Sequence, residues 1–122
     1  MTVAKQKLLY VFDSGPHTIS AGAETLEALL VAANFDKKIS LLFIQNGVFQ
    51  LKENQQAVGV ETRLYTKIFK ALADFDVTDL YVHDLSMLAR GLTEQDLVVP
   101  VKCVTSEFIG DLIADHHKVF TF

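Results

Sequence analysis

The groups in this sequence that could take part in chemistry are one thiol, four imidazoles and the polar side chains of a loop near the start of the chain. Cys103 is the single cysteine, so no internal disulfide can form. Cys103 stands in the apolar run LVVPVKCV, which predicts a buried, unreactive thiol with a raised pKa. The alternative is an enzyme nucleophile or group carrier, which would need a lowered thiol pKa.

A second candidate site is the loop that carries Ser14 and His17, directly before a predicted helix. Backbone N–H groups at a helix N-terminus can bind an anion, so this loop is a candidate ligand site. It lacks the glycine-rich nucleotide-binding motifs, and no nucleophile neighbours His17, so turn chemistry is the simpler interpretation. His116 and His117 are adjacent and would point to opposite faces of a strand. No spacing resembles a metal site, and we predict no metal and no cofactor.

The elements that must position these residues alternate along the chain. Predicted strands cover residues 7–12, 38–45, 79–83, 97–104 and 118–122, and predicted helices cover 21–33, 62–73, 84–89 and 106–115. This order predicts a single three-layer α/β/α domain over residues 1–122, with a mostly parallel five-stranded sheet. Pro100 cannot donate to a ladder, so its strand should be short, bulged or at an edge. Ligands of such sheets gather at the carboxyl ends of the strands.

The amino-acid composition and charge of the chain argue against several classes of protein. Half of the 122 residues are hydrophobic, which suits a compact domain with its own core. No apolar run reaches the roughly 20 residues that span a bilayer, and residues 1–7 do not resemble a secretory signal. We therefore expect a cytoplasmic protein without a membrane segment. The formal net charge of −4 argues against direct binding of nucleic acid.

An apolar segment, Val48-Phe49-Gln50-Leu51, follows the turn residues Asn46-Gly47, where a polar loop would be expected. Such a segment either packs on the core of its own chain or forms a contact surface. Phe49, flanked by Val48 and Leu51, is thus a candidate anchor of a subunit interface. Packing of Phe49 into its own core is the equally weighted alternative.

Several stretches resemble the TusC/DsrF-type subunits of bacterial sulfur-relay complexes, which belong to the DsrE-like family. They lie in the first loop, after the second strand and after the short helix: Phe12, Ser14, Pro16, His17, Ala21, Gly22; Phe43, Ile44, Gly47, Val48, Phe49, Gln50, Leu51; Arg90, Gly91, Leu92. The second group is the most specific to the family, because a turn after a strand does not in general require the apolar segment Val48-Phe49-Gln50-Leu51. The resemblance covers essentially the whole chain and implies a DsrE-like α/β fold.

The resemblance also implies a role. TusC-like subunits join TusB-like and TusD-like partners in a heterohexamer, which takes sulfur from a TusA-like donor. The sulfur passes through a TusE-like acceptor toward 2-thiolation of the wobble uridine of certain tRNAs. In the family, a cysteine at the end of the third strand carries the persulfide in the TusD/DsrE-type subunit, and that position falls on His83 here.

Because imidazole cannot form a persulfide, the resemblance implies a structural subunit that is not itself an enzyme, with a hydrogen-bonding His83. Two alternatives remain open. One is a DsrF-like subunit of a sulfur-oxidation complex, and the other is a homo-oligomeric binding module whose ligand lies on the loop of Ser14 and His17.

Overall fold

The computed structural model describes residues 6–13, 31, 37–52, 70–75 and 77–121. Within them, five parallel strands form one sheet in the order β4-β3-β2-β1-β5. The strands are β1 (Gln6–Phe12), β2 (Lys37–Phe43), β3 (Asp79–His83), β4 (Lys102–Val104) and β5 (Lys118–Thr121). The predicted five-stranded sheet is therefore confirmed, and every pairing in it is parallel.

Apolar side chains cover both faces of the sheet, as expected for a parallel sheet between two layers. Along β1, Leu8, Tyr10 and Phe12 join the larger of two buried clusters, whereas Leu9 and Val11 join the smaller one. This alternation follows the two-residue period of a strand. The fold is therefore the predicted three-layer α/β architecture.

Two α-helices follow strands in the described part of the chain: α1 (Asp84–Ala89) after β3, and α2 (Ser106–Ala114) after β4. α1 ends at Ala89 and is followed by Arg90 and Gly91, and the φ of 67° at Gly91 is in the left-handed region that glycine adopts readily. Thr105 is the N-cap of α2, because its side chain accepts the N–H of Phe108 at 3.2 Å. No helix of the described residues is long and apolar enough to cross a bilayer.

Most of the other two predicted helices, 21–33 and 62–73, lies outside the described residues. Val31, Lys70 and Ala71 are helical. Short 3₁₀ segments cover Gln45–Leu51, Leu72–Phe75 and Glu94–Asp96.

Two predicted strands are shorter than expected. β2 ends at Phe43 instead of residue 45, because the backbone turns at Gln45 with a φ of 50°. β4 is confined to three residues and lies at an edge of the sheet, beyond Pro100. The edge position agrees with the expectation for a strand that follows a proline.

The 3₁₀ segment Gln45–Leu51 packs tightly against the end of β1. The N–H of Ile44 donates to the carbonyl of Phe12 at 3.0 Å, and that of Gly47 donates to Ile44 at 2.8 Å. A Cβ on Gly47 would lie 1.8 Å from the carbonyl oxygen of Phe12. Only glycine therefore permits this approach of the two backbones.

The apolar tail of this segment corrects part of the interface prediction. Val48 and Leu51 have 0% exposed surface and belong to the larger buried cluster. They contribute to the core of this chain, because the 3₁₀ turn directs them under the sheet instead of outward. Phe49 is half-buried against the same cluster and keeps an accessible part. The candidate interface therefore narrows to Phe49.

Candidate functional site

Polar residues from three strand ends meet at one edge of the sheet. Gln45 follows β2, His83 ends β3, and Ser106 lies just after β4. Since the strands are parallel, their carboxyl ends share this edge, where ligand sites of open α/β sheets occur. The register explains the meeting, because His83 pairs with Val104, two residues before Ser106.

The imidazole of His83 lies between two serines. Its Nδ1 is 2.7 Å from the hydroxyl of Ser86, and its Nε2 is 2.8 Å from the hydroxyl of Ser106. Both ring nitrogens therefore have hydrogen-bond partners, and the ring joins β3 to the start of α2. The hydrogen-bonding role expected for His83 is thus present.

Ser86 is the buried centre of this cluster, with 6% of its surface exposed. Its hydroxyl accepts the backbone N–H of Gln45 at 2.9 Å, which holds the left-handed turn after β2. Arg90 donates from Nη1 to the carbonyl of Ser86 at 3.2 Å and from Nε to Asn46 at 3.1 Å. These bonds tie α1 to the beginning of the 3₁₀ segment.

One carboxylate, that of Asp84, lies close to the imidazole of His83. Asp84 Oδ1 lies 3.7 Å from Nε2 of His83, and the same oxygen accepts the N–H of Leu85 at 2.6 Å.

Cys103 corrects a prediction. The thiol is exposed and not buried, because it lies on β4, an edge strand of the sheet. Partial burial, followed by the nearby carboxylates of Glu94 and Asp84, nevertheless raises its pKa. The expected raised pKa of the thiol therefore holds, with partial burial as its first cause and the carboxylates as a further cause, and the low-pKa nucleophile is disfavoured.

The remaining histidines serve separate contacts. His116 Nδ1 lies 2.6 Å from the carbonyl of Leu112, whereas His117 Nδ1 accepts the N–H of Lys7 at 2.8 Å. The loop with Ser14 and His17 lies outside the described residues. Among the residues that are described, no three His, Cys, Asp or Glu side chains come close enough to hold a metal ion.

Sequence reasoning missed Ser86 and Ser106 as partners of His83. Ser86 had a local signal, because it lies three residues after His83 where a strand becomes a helix. For Ser106, the sequence predicted only that it begins a helix. Its contact with His83 depends on the adjacency of β3 and β4, and strand order cannot be read from the sequence.

Comparisons with known proteins agree with this architecture. The family model of the DsrE/DsrF-like family matches residues 6–122. A protein named TusC homolog from Vibrio vulnificus strain CMCP6 is 33% identical over 116 residues, which cover 95% of this chain and 98% of the relative. The intracellular sulfur oxidation protein DsrF of Allochromatium vinosum is 34% identical over 136 aligned positions, with full coverage of both chains.

A solved structure has the same fold. The crystal structure of the ychN protein from E. coli superimposes with a TM-score of 0.78. The alignment covers 96% of this chain and 99% of that one, at 17% sequence identity. At this identity, the likeness concerns the fold alone.

Proposed function

The chain belongs to the DsrE/DsrF-like family, and from this membership we propose that it is a TusC/DsrF-type subunit of a sulfur-relay complex. The observation that carries the proposal is the extent of the similarity. Relatives named TusC homolog and DsrF align with at least 95% of the chain at 33% and 34% identity.

In this proposal the chain works in the cytoplasm within a heterohexamer that contains TusB-like and TusD-like subunits. A TusA-like donor supplies persulfide sulfur, and a TusE-like acceptor carries it toward the 2-thiolation of tRNA wobble uridine. The TusC names of relatives from Vibrio and Buchnera favour this branch of sulfur chemistry. The subunit itself makes no direct contact with tRNA, consistent with its net charge of −4.

Within the relay, the chain is a structural subunit and not a sulfur carrier. Its third strand ends in His83, whose two ring nitrogens are engaged by Ser86 and Ser106. The single thiol, Cys103, lies on the edge strand β4, and its raised pKa leaves little reactive thiolate at neutral pH. The persulfide-carrying cysteine therefore comes from the TusD-like partner.

Complementation tests this role. The chain is expressed in a bacterium that lacks its own TusC-type subunit, and wobble 2-thiouridine is quantified by mass spectrometry of tRNA nucleosides. We expect the unmodified chain and Cys103→Ser to restore thiolation to the same level, with an empty vector as control. Loss of thiolation in a folded, assembled Cys103→Ser variant would overturn the spectator role of the thiol.

The partner surface includes Phe49, which keeps an accessible part although it packs on the core. Aromatic anchors commonly contribute about 2 kcal/mol or more to an interface. Phe49→Ala should therefore weaken assembly with TusB-like and TusD-like chains, measured as the fraction of complex in size-exclusion chromatography. This loss of complex should be larger than the loss of folding stability of the isolated chain would produce.

Leu51→Ala is the matched control for Phe49→Ala, because Leu51 is fully buried in the same segment. It should cost roughly 2–5 kcal/mol of folding stability in the isolated chain. If Phe49→Ala lowers the stability of the isolated chain as much as Leu51→Ala and leaves assembly intact, Phe49 is a core residue and the interface proposal fails.

A second candidate function is a DsrF-like role in sulfur oxidation. The full-length alignment with the intracellular sulfur oxidation protein DsrF favours it. The same complementation distinguishes the two. If the chain assembles with the host partners but leaves 2-thiouridine at the empty-vector level, the DsrF-like role in sulfur oxidation is supported. Restored thiolation supports the TusC-like role in tRNA thiolation. Native mass spectrometry tests the third possibility, a homo-oligomeric binding module.

A further inference from the structure

We propose that Ser106 is a nucleophile activated by His83, and that the chain hydrolyses small activated esters at the carboxyl edge of the sheet. The hydroxyl of Ser106 is 2.8 Å from Nε2 of His83, and Nδ1 of the same ring is 2.7 Å from the hydroxyl of Ser86. A nucleophile, a base and a group that orients the base within hydrogen-bonding distance are the parts that serine-based acyl transfer requires.

Ser86 can hold the ring in the tautomer that acts as a base. Ser86 Oγ accepts the backbone N–H of Gln45 at 2.9 Å and lies 2.7 Å from Nδ1 of His83. In the proposed arrangement, Nδ1 carries the proton and donates it to the second lone pair of Ser86 Oγ. The lone pair of Nε2 then faces the O–H of Ser106. Ser86 is thus a positioning residue, in the place where many triads have a carboxylate. The negative charge comes instead from Asp84, 3.7 Å from Nε2.

The start of α2 supplies donors beside the nucleophile. Ser106 is the first residue of this nine-residue helix, and Thr105 accepts the N–H groups of Phe108 and Ile109. Within the described part of the chain, the N–H groups of Ser106 and Glu107 have no acceptor. Unpaired N–H groups of a first helical turn can stabilise the oxyanion of a tetrahedral intermediate.

The reaction is acyl transfer without a redox step. Ser106 Oγ attacks the carbonyl carbon of the ester while its proton moves to Nε2 of His83. The bond from carbon to the leaving oxygen breaks, and the proton on Nε2 passes to that oxygen, which leaves as an alcohol. Water then attacks the acyl-Ser106 carbon with the same proton transfers, which releases a carboxylic acid and restores the serine. Since Ser106 is exposed, small esters are the expected substrates.

A fluorophosphonate probe tests the nucleophile in the full chain. We expect one phosphonyl adduct, located on Ser106 by peptide mapping, and no adduct on Ser106→Ala. His83→Gln should slow labelling by about 100-fold or more, the usual contribution of a positioned base. The exposed hydroxyl of Thr93 is an internal control and should stay unlabelled. Absence of labelling, or labelling that His83→Gln does not slow, overturns the proposal.

A second variant tests activation of residue 106 by His83 even if His83→Gln lowers the stability of the fold. This variant is Ser106→Cys in a Cys103→Ser background, which keeps His83 in place. The new thiol should react with iodoacetamide at least about 10-fold faster than free cysteine at pH 7, because His83 accepts its proton. A rate equal to that of free cysteine contradicts activation. For Ser86→Ala, hydrolysis of p-nitrophenyl acetate should show a lower kcat with an unchanged KM. An unchanged kcat would show that Ser86 is not a positioning residue of His83.

These outcomes are independent of the proposed function. The ester assay uses the chain without partners, whereas 2-thiouridine in tRNA reports the relay. Failure of either proposal therefore leaves the other standing.

Discussion

Gly47→Ala should destabilise this fold far more than a glycine-to-alanine change elsewhere. The added Cβ would lie 1.8 Å from the carbonyl oxygen of Phe12 and 2.5 Å from its carbonyl carbon. Cβ atoms essentially never come within 3.0 Å of a non-bonded heavy atom, so one of the two backbones must move by more than 1 Å. Neither backbone has room to do so, because β1 and the 3₁₀ segment both end in the buried core.

The expected magnitude combines two costs. Overpacking a core position by one methyl group usually costs about 1–3 kcal/mol. Moving the carbonyl of Phe12 also stretches the 3.0 Å hydrogen bond that it accepts from Ile44, worth about 1 kcal/mol. We therefore expect a loss of about 3 kcal/mol of unfolding free energy, or roughly 12 °C in Tm for a domain of this size.

Gly110→Ala is the matched control. Gly110 lies within α2, and a Cβ there would have no heavy atom within 4 Å. Both substitutions reduce the freedom of the unfolded chain in the same way, so the difference between them reports the native state. Because alanine is the better helix former, Gly110→Ala should be neutral or gain up to about 1 kcal/mol.

Urea denaturation followed by circular dichroism measures both variants. The m-values should stay equal, since a change in m would indicate a different native or denatured ensemble. If Gly47→Ala lies within about 0.5 kcal/mol of the unmodified chain, the 3₁₀ segment does not approach β1 as described, and the reasoning fails.

Three further predictions concern charge. At pH 7, iodoacetamide should alkylate Cys103 more slowly than free cysteine, and Glu94→Gln should speed it by removing a carboxylate that raises the pKa of the thiol; alkylation faster than free cysteine would contradict this. Lys7, by its hydrogen bond and charge, lowers the pKa of Asp115, so the pair stabilises the fold above the ordinary carboxyl pKa of about 3.9 and loses this effect as the pH falls. Asp115→Asn should therefore be less stable than Asp111→Asn at pH 7 but not at pH 2 in thermal melts. The isolated chain should show no salt-dependent tRNA binding at roughly 10⁻⁴ to 10⁻⁶ M in filter assays; a steep salt slope would reverse that expectation.

The third strand and the helix after it were predicted from the sequence at both ends. Asp79–His83 has alternating burial, and Asp84–Ala89 ends at Arg90-Gly91, a strong local stop signal. Where strand pattern and turn residues agree, the local sequence suffices.

The predicted end of the second strand was wrong, and its structure explains why. Ile44 continues the apolar run, and a strand over residues 38–45 follows from periodicity alone. The chain instead turns at Gln45, whose N–H is held by the hydroxyl of Ser86, 41 residues further along the chain. A boundary that depends on a distant hydrogen bond leaves no local signal.

The candidate site was predicted only in part for the same reason. His83 was identified from its position in the resembled motif, but its partner Ser106 reaches it only because β4 pairs with β3. The exposure of Cys103 likewise depends on β4 being an edge strand, whereas its apolar neighbours suggested burial.

The strand order has a consequence for synthesis on the ribosome. β1 pairs with β2 on one side and with β5 on the other, and Lys7 and His117 exchange two hydrogen bonds across 110 residues. Strands β1 to β4 are adjacent in the order in which they are made, so their pairing can follow translation. The outer edge of β1 stays unpaired until β5 emerges. During that interval the nascent chain exposes an apolar strand edge, which is the feature that chaperones shield from aggregation.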